Sequence, residues 1–98
     1  MIFLGYPLHP PGKPESSRDA PLYRLAVPTL FFAGTRDPFA RFDLLEDVVS
    51  RVAGATLHPI SGGDHSFDLP RGADRTRESV HQEMVETARD WLRRTVRP

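Results

Sequence analysis

The side chains best placed to do chemistry lie in two short segments, Gly34-Thr35-Arg36-Asp37 and, about thirty residues later, Gly62-Gly63-Asp64-His65-Ser66. Each follows an apolar run of strand character, so an aspartate and a histidine can emerge side by side from one edge of a parallel sheet. A carboxylate that accepts the imidazole Nδ1 proton fixes the ring tautomer and leaves Nε2 free to act as a base. Asp37 and His65 are therefore the candidate acid and base of a hydrolytic triad, with Gly62 and Gly63 letting the backbone turn tightly enough to present the ring. The third member is missing. No Gly-x-Ser-x-Gly elbow and no cysteine occur in the 98 residues, so the chain is expected to supply acid and histidine and to be inactive by itself.

The elements that must position this pair alternate between strand and helix. Residues 2–6 read as a short apolar strand cut off by Pro7, and 27–33 as a largely apolar run of the kind covered on both faces, hence central and parallel. Asp43 and Glu46 have capping-box spacing ahead of an apolar stripe at Leu44, Leu45, Val48, Val49 and Val52, which ends near Gly54. Residues 55–60 read as a strand, and Pro59, which cannot donate to a ladder, assigns it to a sheet edge or strand end. After an irregular stretch, Val80, Met84, Val85, Ala88, Trp91 and Leu92 predict the buried stripe of a closing helix over about 77–95, with Asp90 set to pair with Arg93 or Arg94. Between the first two strands, 7–21 is rich in proline and reads as a surface loop, ordered to mobile.

A crossover between the strands at 27–33 and 55–60 makes them parallel, with their carboxyl ends on one sheet edge. In open α/β sheets ligands bind along that edge. Asp37 lies four residues past the first strand end and His65 five past the second, which brings both to it. The predicted fold class is α/β, about three parallel strands with flanking helices.

Composition narrows the function further. The formal net charge is zero, which gives no pointer to nucleic acid or to an acidic membrane surface. No apolar stretch is long enough to cross a bilayer, and Ile2-Phe3-Leu4 lacks the basic flank of a secretory signal. With no cysteine there is neither a disulfide nor a thiolate site, and the expected location is the cytoplasm.

Each candidate has a plainer reading. Asp37, followed by Pro38, could be a turn aspartate, and His65 a loop histidine. A metal held by these two would lack ligands, since His9, His58 and His81 are not at metal spacing, and no metal or cofactor is expected. His58 reads as lying on an exposed strand and His81 as a boundary or surface position. Ser66 adjoins His65 without an elbow, and Ser16 and Ser17 sit in the proline-rich loop, so all three are poor nucleophiles.

Leu-Gly-Tyr-Pro-Leu-His-Pro-Pro-Gly-Lys-Pro at 4–14, Pro-Thr-Leu-Phe-Phe-Ala-Gly-Thr-Arg-Asp-Pro-Phe at 28–39 and Asp-His-Ser-Phe at 64–67 together resemble the C-terminal part of an α/β-hydrolase. The resemblance is to the dienelactone-hydrolase-like group that includes testis-expressed hydrolase-like proteins. It implies that residues 1–98 are a partial α/β-hydrolase domain without the nucleophile-bearing half, in which 2–6 follows the nucleophile strand. It also implies that Asp37 is the triad acid, His65 the triad base, and the helix near 77–95 the last of the fold. The expected activity of the complete protein is hydrolysis of a small ester, lactone or thioester, with a complementary N-terminal half or self-association completing the sheet. The alternative is a non-catalytic α/β-hydrolase-like interaction module.

Overall fold

The computed structural model describes residues 1–96. Three strands, β1 (Ile2–Leu4), β2 (Thr29–Gly34) and β3 (Ala55–Ile60), form one parallel sheet in the order β1-β2-β3. Leu30 pairs with Ile2 on one side and Thr56 on the other, which makes β2 the central strand. All six of its residues are buried, as a strand covered on both faces requires. β3 lies at an edge, where Pro59 leaves no interior ladder position without a donor.

Side chains alternate across the sheet and build two cores. Phe31 and Ala33 point toward helix α1 (Phe42–Ser50), joining Leu45, Val48, Val49 and Val52. Leu30, Phe32 and Ile60 point the other way, toward Val80 and Trp91 of helix α2 (Arg77–Thr95). Burying a side chain the size of Phe31 contributes about 2 kcal/mol, so each layer rests on a handful of such residues.

The helices begin differently. Thr76 caps α2, its hydroxyl oxygen accepting the Ser79 N–H at 3.1 Å. The capping box expected of Asp43 and Glu46 does not form. α1 begins at Phe42 with Arg41 as N-cap, and Asp43 lies inside the first turn. There it holds Arg41 through Nε and Nη2, at 2.7 and 2.9 Å, and accepts the Leu44 N–H.

Four further expectations need correcting. β1 is shorter than residues 2–6 because Gly5, at φ 74°, turns the chain out of the strand. β2 begins at Thr29 rather than Val27, which is exposed ahead of Pro28. The proline-rich segment is not merely a surface loop: it carries a 3-10 turn at Pro14–Ser16 and runs into a second at Ala20–Arg24, Leu8 joins the α1-side core and His9 is buried. In α2 only the line Val80, Met84, Ala88, Trp91 faces the sheet, because those positions recur on one side of a 3.6-residue turn. Val85 and Leu92, one position further round, are 55% and 44% exposed. Asp90 and Arg93 approach only to 4.0 Å, between exposed side chains.

This α2 side is left partly open. β1 bonds to β2 through alternate residues, with Leu30 N–H donating to the Met1 carbonyl and Gly5 N–H to the Phe32 carbonyl. The main-chain groups of Ile2 and Leu4 consequently face away from the sheet. Leu4 is 63% exposed, and with Ile2, Phe32, Met84, Val85 and Ala88 it borders an apolar groove of about 620 Å³.

His58 is not on an exposed strand face either. It is half-buried, packed edge-on against Phe32, and its Nε2 lies 2.5 Å from Glu83 Oε2 on α2. Arg75 Nη1 meets the other oxygen of Glu83 at 2.7 Å. Burial pushes the Glu83 carboxyl up, but the bonds from His58 and Arg75 outweigh it and hold it below its ordinary value. A depressed carboxyl contributes stability that is complete above its unfolded value and is lost as pH falls through the folded one. Glu83→Gln should therefore cost about 1 kcal/mol near neutrality and progressively less below about pH 4, as denaturant melts of both proteins across pH will show.

Candidate active site

The site forms where β2 and β3 end. Beyond Ile60, its carbonyl accepts both Thr35 N–H (3.1 Å) and Gly63 N–H (3.0 Å), while Arg36 N–H donates to the Gly63 carbonyl at 2.9 Å. Thr35 Oγ1 accepts the Gly62 N–H at 2.7 Å. These bonds stitch the two post-strand segments together. They require a close approach at Gly34, where a Cβ would run into the carbonyl oxygens of Gly63 and Asp64. Only glycine fits there, a requirement separate from any backbone dihedral.

The stitched edge brings together the two residues singled out in the sequence. His65 Nδ1 lies 2.7 Å from Asp37 Oδ2, and the second Asp37 oxygen accepts the Phe39 N–H at 2.7 Å. The Asp37 side chain is 1% exposed and that of His65 35%. A buried acceptor-only carboxylate makes Nδ1 the protonated nitrogen, which turns Nε2 outward as the lone-pair side of the ring. Among the described residues no hydrogen bond engages Nε2. The Phe39 ring lies against the imidazole, with centroids 4.5 Å apart and planes at 41°, and limits its rotation.

The loop carrying His65 is organised by its neighbours. Asp64 Oδ1 accepts the N–H groups of Ser66 (2.9 Å) and Asp68 (3.0 Å), a compact side-chain-to-backbone turn. Phe67 takes φ 65°, a left-handed conformation unfavourable to a bulky residue, and its ring packs into the α2-side core. Arg77 bonds Asp68 at 2.6 Å and ties the loop to α2. On the other side the His65 backbone sits over Gly5, where a Cβ would lie 3.0 Å from the His65 carbonyl oxygen. The ring is thus perched over the end of β1, beside the open edge of the sheet.

The remaining candidates lie elsewhere. Ser66 is exposed on the turn after His65, and Ser16 and Ser17 are exposed at a short 3-10 turn, none of them on the strand-to-helix elbow a nucleophile needs. His9 is buried, His58 belongs to the Glu83 cluster, and His81 is exposed on α2. Sequence reasoning gave no role to Gly34, Gly5, Asp64 or Phe39. Gly34 and Asp64 stand inside the motifs quoted for the pair, but their duties are close approach and turn bonding, which residue type alone does not disclose.

A parallel sheet with helices on both faces and an Asp–His pair at its carboxyl edge is the arrangement of the α/β-hydrolases. A family model of the alpha/beta hydrolase domain matches residues 1–93, and the chain belongs to that family. No solved structure matches it.

The geometry makes one prediction about the site's construction. Gly34→Ala should cost about 3 kcal/mol or more, because the obstructing atoms are backbone and cannot swing aside. It should also separate Asp37 from His65. A denaturant melt checks the first effect, and a near-native midpoint would show that the two backbones are not held at this distance.

Proposed function

We propose that Asp37 and His65 are the acid and base of a serine hydrolase that acts on ester-type bonds, an ester, lactone or thioester, in the manner of the dienelactone-hydrolase-like group. The observation that carries this reading is the 2.7 Å bond from His65 Nδ1 to a carboxylate with 1% exposure, leaving Nε2 unengaged. In this role Nε2 takes the proton of an attacking serine hydroxyl, and Asp37 stabilises the imidazolium that results. The proton then passes to the departing alkoxide or thiolate, and the same base activates the water that releases the acyl group.

The serine is not among the six of this sequence, none of which stands in a Gly-x-Ser-x-Gly setting. We place it on a polypeptide segment that adds a strand to the free side of β1, since His65 sits over Gly5 at that side. The apolar groove beside Leu4 and Val85 gives such a segment a surface to cover. Without it the same edge and groove favour pairing between copies of this chain.

The chain alone should give no labelling with a fluorophosphonate probe and no p-nitrophenyl ester turnover above imidazole background. Stoichiometric labelling of a serine here would overturn the assignment. Joined to a segment that supplies the elbow, His65→Ala should lower turnover about a thousandfold or more. Asp37→Asn should also lower it heavily, by favouring the wrong tautomer. Near-full activity of His65→Ala would remove the triad reading, whereas no turnover by the joined wild-type protein would favour the non-catalytic interaction module.

Association is checked separately. Light scattering after size exclusion should find the isolated chain self-associated with a broad, low melt, and Leu4→Lys with Val85→Lys should shift it toward monomer. A monodisperse wild-type monomer with a sharp, high-temperature transition would contradict the open-edge account.

A further inference from the structure

Between β1 and β2 the proline-rich segment delivers one side chain with no evident packing purpose, the imidazole of His9. It is 4% exposed and engaged at both nitrogens. Nδ1 faces the Pro10 carbonyl at 2.8 Å, which needs a donor, and Nε2 lies 2.9 Å from the Arg41 N–H, which needs an acceptor. The ring is therefore the neutral Nδ1–H tautomer. Its main chain adds a third bond, His9 N–H to the Phe39 carbonyl at 2.8 Å.

Phe39 and Arg41 belong to the loop between β2 and α1, which carries Asp37. The Asp37 side chain bonds the Phe39 N–H, and the Phe39 ring packs on His65. Arg41 is the N-cap of α1, and its own side chain makes no capping bond there. His9 grips this loop at residues 39 and 41 from a segment some thirty positions earlier, and so sets where it lies relative to the sheet.

We propose that His9 is a positioning residue: by accepting the Arg41 N–H through Nε2, it fixes the loop that holds Asp37 and Phe39 and thereby the orientation of the His65 imidazole. This rests on the Asp37–His65 reading given above. Both His9 ring nitrogens are engaged by Pro10 and Arg41, so it bonds neither side chain of that pair and takes no part in proton transfer. Its work is done by one acceptor atom at one place, so shape and acceptor can be separated by substitution.

The test follows the His65 Nδ1 proton by NMR in the full chain, with Asp37→Asn as the reference for a broken pair. In the wild-type chain this proton should be downfield and slow to exchange, and in Asp37→Asn it should be lost. His9→Gln, whose amide oxygen can reach the position of Nε2, should keep it. His9→Phe, which fills the volume without an acceptor, and His9→Asn, whose amide reaches only the position of Nδ1, should raise its exchange rate about tenfold or more while circular dichroism stays native. A folded His9→Phe or His9→Asn with unchanged exchange would overturn the proposal. So would a folded His9→Gln that exchanges as fast as His9→Asn. Should His9→Phe fail to fold, the Gln and Asn pair decides. A wild-type chain indistinguishable from Asp37→Asn would instead count against the Asp37–His65 pairing itself.

Discussion

The close approach of Gly34 to the backbone of Gly63 and Asp64 is the constraint on which the site depends. Two parallel strands by themselves bring their carboxyl ends to one edge about 5 Å apart, and the side chains beyond them could then point anywhere. Here the post-strand segments are bonded to each other through the Ile60 carbonyl, the Gly63 carbonyl and Thr35 Oγ1. The bonds fit only because residue 34 has no side chain. Once they are made, Asp37 and His65 have little freedom left, and a buried carboxylate meets an imidazole nitrogen at hydrogen-bond distance.

Around that junction, different parts of the chain take on separable tasks. β2 supplies a strand buried along its whole length, anchored to α1 through Phe31 and Ala33 and to α2 through Leu30 and Phe32. Asp64 folds the histidine loop on itself, and the Phe67 ring, partly buried against the α2-side core, offsets the unfavourable backbone at that residue. The His58–Glu83–Arg75 cluster joins β3 to the start of α2 on the face opposite α1. β1 is the least committed element, with three residues, one free edge and an apolar groove alongside.

Much of this was legible in the sequence because it depends on pattern. The apolar run before Gly34, the stripe from Leu45 to Val52 and the proline in 55–60 gave the central strand, the first helix and the edge strand. The spacing of Asp37 and His65 from their strand ends placed them on one edge. What escaped depends on contacts between distant segments. A proline-rich stretch reads as surface from composition, yet Leu8 joins the α1-side core and His9 is buried because Arg41 and Phe39, some thirty residues on, supply its partners. Asp43 has the spacing of a cap, but Arg41 competes for its carboxylate and the helix starts two residues earlier. Val85 and Leu92 look like core by type, but they lie one position round the helix from the line that faces the sheet.

The central claim is that Asp37 holds His65 with its proton on Nδ1 and its lone pair on Nε2. Nitrogen-15 NMR of the imidazole, recorded in the full chain at a pH where the ring is neutral, reads the tautomer directly through the two-bond couplings of each ring nitrogen. The account predicts the Nδ1–H tautomer for His65 in the wild-type chain and a shift toward Nε2–H in Asp37→Asn. An Nε2–H tautomer in the wild-type chain, unchanged by that substitution, would contradict it.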